Sequence, residues 1–441
     1  MKKIAIPNEV RTVLDVLITN GFSTFLVGGC VRDHLLGVPP SDYDIATSAQ
    51  PDAVRRLFPK TVPIGAKHGT IAVVLPERTI EVSRFRSDKP DSGQSDDLEA
   101  LIDDLSRRDF TINAMAFKAN GQLLDPFGGE ADLKAGFLRT PQGQAQERFA
   151  EDPLRLLRAV RFACGYGFAV DETTLAAMAD LADRIETVSS ERIREELNQV
   201  MLSDRAAEGI RMMRQAGLLA HVLPEIDALA GFDQKAPLHD KDLLEHTLAV
   251  VDASPKRLAV RLAALLHDAA KPSVHTIDEK GIGHFYGHEK EGRLIVETVL
   301  RRLKYDTKTI ERVALLVAEH MSRYDKIRNA GLKRLIGRVG LDNLQDLEDL
   351  QRADLAGLRP GVSTRSLDDM WSRIWRLVDE KPPLQIADLA VGGKDLIAAG
   401  YEPGPELGRV LDRLLEVVLE DPDKNQREIL LEIARATRGR C

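Results

Sequence analysis

The chain has 441 residues, 43% hydrophobic and 29% charged, with a net charge of -8. That describes a globular chain of about two to four domains, not a fibrous or disordered one. No apolar run is long enough to span a bilayer and the segment Met1 to Glu9 lacks a signal-peptide core, so membrane and secreted classes are not expected.

The first 140 residues read as mixed structure. Val10–Asn20 has helical spacing, Phe25–Val27 is a strand, and Val31–Leu36 is a helix stopped by Gly37 and Pro39. Asp42–Ala46 reads as a strand and Pro51–Leu57 as a helix, with Ser48 a candidate N-cap. Gly69–Leu75 and Thr79–Phe85 predict a hairpin about Pro76, Glu77 and Arg78. The polar stretch Ser87–Asp97 predicts a mobile loop. Leu98–Leu105 and Asp109–Met115 have helical spacing, and Leu123 to Asp125 leads into a turn over Pro126–Gly129. After residue 140 apolar residues recur every three or four positions, which predicts an all-helical region. Pro224, Pro237 and Leu355–Ser363 mark candidate domain edges. Leu367–Val378, Pro405–Val418 and Asn425–Thr437 read as helices, with Trp371 and Trp375 four apart on one face.

The cysteines Cys30, Cys164 and Cys441 are scattered and odd in number, which suits a reducing, cytoplasmic setting without a disulfide framework. The negative total charge hides an uneven distribution. Residues 301–340 carry eleven Lys or Arg against four Asp or Glu, while residues 87–106 are strongly acidic. Charge alone leaves a nucleic-acid face and an ordinary solvated helix face equally open.

The chemistry starts at Gly28 and Gly29, which end an apolar run before a helix. Glycines there let backbone approach phosphates, with a helix N-terminus behind them. Asp42 and Asp44 follow, two apart, so a strand presents both carboxylates on one face, where they can share divalent metal. Together these features suit the transfer of a nucleoside monophosphate. Glu81, on the second hairpin strand, is a candidate third acid beside the pair. The segment Gly65–Thr70 precedes the hairpin. Arg108 can meet a triphosphate, Asp109 can accept from a ribose hydroxyl, and Asn113 shares a helix face with Asp109.

Asp152 and Arg155 are three apart at a helix start containing Pro153. Cytosine and adenine both show an exocyclic amine beside a ring-nitrogen acceptor. A carboxylate accepts from the first and a guanidinium donates to the second. Uracil and guanine present a carbonyl and a ring N–H instead, which leaves both contacts repulsive or unpaired. One Asp–Arg pair can therefore admit CTP and ATP together. The plainer alternative is a salt bridge between the two.

In order, L-V-G-G-C-V-R-D with S-D-Y-D-I, G-A-K-H-G-T, R-R-D-F-T-I-N-A-M-A, D-P-F-G-G-E-A-D-L, E-D-P-L-R-L-L-R-A-V-R-F-A and E-R-I-R-E-E-L resemble the class II tRNA nucleotidyltransferases. These are the CCA-adding enzymes and their bacterial poly(A) polymerase relatives. The resemblance covers about residues 20–220. It implies an α+β fold: a nucleotidyltransferase head over 1–138 with a small, mostly antiparallel sheet, then a helical neck over 139–222. It implies that Asp42 and Asp44 hold Mg2+ and that the 3′ hydroxyl of a tRNA attacks the α-phosphate of CTP or ATP. Gly28, Gly29, Arg32, Arg108, Asp109, Asn113, Asp152, Arg155, Arg158 and Arg161 form the implied nucleotide-binding set. Residues 125–132 are the implied hinge, and Glu191, Arg192 and Glu195 the implied braces of the neck. The segment between Arg86 and Arg107 is short and acidic for this family, which keeps CC-adding and A-adding forms, and poly(A) polymerase, as alternatives.

The helical half carries His246, His267-Asp268, His288, His320 and Asp354. Imidazoles with carboxylates suit Mn, Fe or Ni. Their order resembles the HD-domain phosphohydrolases over about 235–355. The resemblance implies one ion held by His246, His267, Asp268 and Asp354, and a second by His288 and His320, with Lys271 facing a substrate phosphate. The expected divisions are an HD-type body over 223–358 and a helical tail over 359–441. A phosphohydrolase with an inactive, RNA-binding head is the alternative from another class. Oligomeric state is not legible.

Overall fold

The computed structural model describes residues 6–64, 69–85, 94–235, 242–322 and 327–437. Residues 65–68 of the segment before the hairpin, residues 87–93 of the expected loop, Pro237 and Cys441 lie outside them. The chain divides into two compact units, 1–222 and 223–441.

The first unit is built on a seven-stranded sheet. Its strands are β1 (Thr24–Val27), β2 (Asp44–Thr47), β3 (Thr61–Ile64), β4 (Thr70–Val74), β5 (Thr79–Arg84), β6 (Ala116–Lys118) and β7 (Leu123–Leu124). They lie in the order β3-β4-β5-β2-β1-β6-β7. Neighbours are antiparallel except β2 and β5, which run parallel with Asp44 opposite Glu81.

Strand alternation divides the side chains between two cores. Leu26, Ile45, Ile80 and Val82 face one side with Val10, Val13, Leu14 and Leu17 of the Asn8–Thr19 helix. Phe25, Val27 and Ala46 face the other side with Leu101 and Leu105 of the Gln94–Ser106 helix. Both faces of β1 are therefore buried, which is why the strand reads as an unbroken apolar run. The period of two places Asp44, Glu81 and Ser83 on the Phe25 side.

Several expectations change here. Asp109–Met115 is not a helix: a short turn, Thr111–Asn113, leads into β6, which pairs with β1. The Asp109 carboxylate accepts from Phe110 N and Asn113 Nδ2, stabilising the turn locally before the chain is drawn out into the sheet. β3 went unread because it is a four-residue edge strand containing Pro63, mostly exposed. Ser48 does not cap the following helix, which begins after Gln50; its Oγ instead accepts from Ser23 N. The Gln94–Ser106 helix starts within the expected loop.

Among its described residues the second unit is helical apart from the small pair Thr276–Ile277 and Gly283–His284. The Leu341–Gly357 helix runs into the expected edge at Leu355–Ser363. Trp371 and Trp375 share a face of the Arg365–Asp379 helix, with ring centroids 6.1 Å apart. Among the described residues no helix is long and apolar enough to cross a membrane.

Ile45 is fully buried one residue after Asp44. Ile45→Ala should destabilise the first unit by about 2–5 kcal/mol, read as a lowered urea midpoint by circular dichroism.

Candidate functional site

Tyr43 is anchored in the core below β2, so Asp42 and Asp44, its neighbours on either side, project the other way. Asp42 is exposed and precedes the strand, with one oxygen accepting from Ser41 Oγ at 2.9 Å. Asp44 is half-buried at the strand start. Burial raises its pKa and the charges of Glu81 and Asp42 add to the rise, against the lowering effect of Arg108. The three expected acids thus share one electrostatic neighbourhood with an excess of negative charge. They do not form one of the close donor triads described below; like charges on adjacent strands repel.

Gly28 precedes the Gly29–Leu36 helix with φ 78°. An added Cβ would lie 2.6 Å from Arg108 Nη1 and 3.4 Å from an Asp44 oxygen, so only glycine lets that guanidinium lie over the turn. Arg108 Nε is buried without a hydrogen-bond partner among the described residues. Its guanidinium borders a cavity of about 880 Å³, lined by Ser83, Arg107, Asp109, Asp152, Arg155 and Arg192 among others.

Beneath this cavity lies a buried charge network. Asp109 Oδ2 accepts from Arg158 Nε at 2.8 Å and Nη2 at 2.6 Å. Asp109 Oδ1 accepts from Phe110 N and Asn113 Nδ2, both at 2.9 Å. Burial works against the charged form of Asp109, but Arg158, Asn113 and Phe110 outweigh it and its pKa is lowered. Four protein donors occupy the carboxylate, so the expected ribose contact has no vacant lone pair in this arrangement. Asn113 Oδ1 accepts from Arg32 Nη1 at 2.7 Å, and Arg32 also grips Asp33 and lies 5.2 Å from the ring centroids of Phe162 and Tyr166. Arg32 is thereby turned inward, where its contacts are to protein.

Glu196, buried on the Ser190–Leu202 helix, faces Arg161 at 3.2 Å and Arg158 at 3.7 Å. It braces the neck where Glu195 was expected; Glu195 is 70% exposed and Glu191 also faces outward. A signal was available: Glu196 shares the apolar face of Ile193, Leu197 and Val200.

Asp152 and Arg155 do not pair with each other. Arg155 donates to Arg148 O at 2.9 Å, Arg107 O at 2.8 Å and Glu151 Oε2 at 3.2 Å. Asp152 pairs with Arg192 at 3.0 and 3.3 Å. The plain intrahelical salt bridge is therefore not what the structure contains. In the expected hinge, Asp125 accepts from Gly129 N and Glu130 N, and Asp132 from Thr111 Oγ1 and Arg139 Nε.

In the second unit the expected histidines converge. Among the described residues two donor triads have ligand atoms mutually within 4.8 Å: His246, His267, Asp354 and Asp268, His288, His320, all buried. Each imidazole turns Nδ1 to a backbone carbonyl: His246 to Gly357 O, His267 to Ala264 O, His288 to Phe285 O and His320 to Val317 O. A proton on Nδ1 leaves each Nε2 as a lone pair facing the cluster. His288 Nε2 and His320 Nε2 stand 3.2 Å apart. Burial, with His267 beside it, pushes His320 down to about 3. Burial also opposes charge on His267, but Asp268 and Asp354 outweigh it and raise its pKa. Lone pairs and carboxylates converging in this way fit a borderline divalent cation. Lys271 Nζ lies 2.7 Å from Asp268 and donates to Gln234 Oε1.

Because its pKa is lowered, Asp109 stabilises the fold above the ordinary carboxylate value of 3.8 and loses that contribution as pH falls towards the folded-state value. Asp109→Asn should therefore lower the thermal midpoint most near neutral pH, with the gap to wild type closing below about pH 4. Melting curves across pH 3–7 measure it.

Three family models match the chain: "Poly A polymerase head domain" over residues 24–139, "Probable RNA and SrmB- binding site of polymerase A" over 167–229, and domain 2 of tRNA nucleotidyltransferases over 292–434. The chain is 32% identical over 434 residues to the CCA-adding enzyme of Latilactobacillus sakei, covering 97% of each. It is 35% identical over 415 residues to the CC-adding tRNA nucleotidyltransferase of Thermus thermophilus, covering 90% of this chain and 89% of that one. The crystal structure of the Bacillus stearothermophilus CCA-adding enzyme in complex with CTP is similar with a TM-score of 0.73 at 30% identity, covering 98% of this chain and 99% of that chain. On its ordered motifs, its fold and these full-length relatives, this chain belongs to the class II tRNA nucleotidyltransferases, the CCA-adding enzymes.

Proposed function

We propose that this chain adds the C and A residues of the CCA end to tRNA, drawing on CTP and ATP without a nucleic-acid template. The observation that carries this reading is the cavity of about 880 Å³. It is large enough for a nucleotide. It is bordered on one side by Arg108, near Asp44, and on another by Asp152 and Arg155.

In this reading Gly28 and Gly29 admit the triphosphate and Arg108 neutralises it. Asp152 accepts from the exocyclic amine, and the two Arg155 N–H groups that make no hydrogen bond among the described residues are available to the ring nitrogen. Arg158, Arg161, Arg32, Asn113 and Asp109 hold these groups in register. The 3′ hydroxyl of the tRNA forms a bond to the α-phosphorus as the bond to pyrophosphate breaks, and its proton goes to solvent. The excess negative charge and oxygen donors of Asp42, Asp44 and Glu81 fit Mg2+. When bound, that metal supplies Lewis acidity at the attacking and leaving oxygens, the two-metal form of this chemistry.

A second reading stops at CC. It is favoured by the Thermus thermophilus relative, named a CC-adding enzyme, and by the short acidic stretch after Arg86. In the second unit we propose a divalent Mn, Ni or Fe held by His246, His267 and Asp354, with Asp268, which was expected in that set but groups with His288 and His320, lying between the two and serving a second ion with them. The convergent Nε2 lone pairs support this HD-type reading, with phosphate monoesters or 2′,3′-cyclic phosphates as substrates.

The test is to give purified protein a tRNA lacking CCA, with CTP, ATP or both, and to size products at nucleotide resolution. Three added residues with both nucleotides are expected; two with CTP, unchanged by ATP, mark the CC-adding form. Repeated ATP addition to any RNA contradicts both readings. Asp42→Ala should cut addition on the order of 100–1,000-fold, as loss of a transition-state charge partner does. His267→Ala should lower bound transition metal, read by elemental analysis, while nucleotide addition persists. If Asp42→Ala spares addition, the catalytic assignment is wrong.

A further inference from the structure

We infer that Arg192 is a positioning residue for base selection, an inference that rests on the reading that Asp152 and Arg155 contact the incoming base. Asp152 and Arg155 carry opposite charge three residues apart at a helix start, the spacing at which such side chains pair. Paired with each other, they would satisfy their own polar groups and present little to a base. The structure keeps them apart by giving each another partner.

Arg155 is anchored by the carbonyls of Arg148 and Arg107 and by Glu151. A guanidinium has five N–H donors, and these three bonds leave two. Asp152 has no comparable anchor on its own helix beyond Leu154 N at 3.3 Å. Its other partner is Arg192 on the Ser190–Leu202 helix, with Nη2 3.0 Å from Oδ2 and Nη1 3.3 Å from Oδ1. This side-by-side fork fixes the plane of the carboxylate. Leu154 N and Arg192 Nη1 fill Oδ1, so the outward lone pair of Oδ2 is the one left for a base, and Asp152 and Arg192 border the same cavity as Arg155.

The Asp152 side chain is 34% exposed and that of Arg192 50%, so the pair adds little to stability. Its value is directional. Held by Arg192, Asp152 faces the base as an acceptor beside the Arg155 donors. Released, it is free to swing onto Arg155, and both groups leave the base edge. Discrimination against UTP, which offers a carbonyl where cytosine has its amine, then falls.

The experiment compares single-nucleotide incorporation of CTP and UTP by wild type, R192A, R192K, D152A and R192A/D152A on a tRNA lacking CCA. R192A is expected to raise the CTP KM about tenfold and to reduce the CTP-to-UTP preference about 10–100-fold. R192K is expected to restore part of both. Inhibition by pyrophosphate, which reads the phosphate side alone, should not change. In the D152A background R192A should add nothing, because its effect passes through that carboxylate. Unchanged preference in R192A while D152A loses it overturns the role of Arg192 alone. An equal loss of pyrophosphate inhibition, or a further loss in the double variant, also overturns it. Unchanged preference in D152A overturns the base-reading assignment beneath it.

Discussion

A single buried carboxylate, Asp109, holds the first unit in its working shape. It follows the Gln94–Ser106 helix and shapes the turn into β6, while its other oxygen takes two bonds from Arg158 on the Leu154–Tyr166 helix. A charge this deep is tolerated only when donors surround it. Four do, and through Arg158 and Asn113 they extend the network to Glu196 and Arg32. The same network sets where Arg108, one residue earlier, meets Gly28, and where the Asp152–Arg155 helix start meets the cavity. Removing Asp109 would therefore disturb both walls of the cavity at once.

The two walls are built on opposite electrostatic principles. Around Asp44 negative charge is in excess and Arg108 is the cation that offsets it. Around Asp152 and Arg155 each charge has its own protein partner and presents only its remaining hydrogen-bonding directions. The first arrangement suits a cation and a polyphosphate, whose charges complete it. The second suits an uncharged base edge, recognised by the direction of donors and acceptors. The proposed nucleotide has both kinds of end, and the cavity runs from Arg108, beside Asp44, to Asp152 and Arg155.

Much of this was legible because it follows local rules. Gly28 before a helix and acids two apart are short-range patterns; Asp44 opens β2 on the face it shares with Glu81, while Asp42 lies just before the strand. The histidines were legible as residues, and the structure brings them within ligand distance of one another. What escaped depends on pairing across long sequence separations. β6 forms because β1 offers it an edge, although the stretch leading into it, Asp109–Met115, has helical spacing. Asp109 looked like a substrate contact because its partner Arg158 lies 49 residues on. Glu196 was overlooked for its neighbour Glu195 because, in a run of alternating charge, only the buried face of the helix distinguishes them.

In the proposed function protein side chains, not a template strand, choose the base. The most direct measurement is a crystal structure of this chain soaked with CTP. The expected result is the cytosine amine within hydrogen-bond distance of Asp152, the ring nitrogen facing Arg155, and the triphosphate beside Arg108. A cytosine bound away from Asp152 and Arg155, with CTP still incorporated, would contradict it.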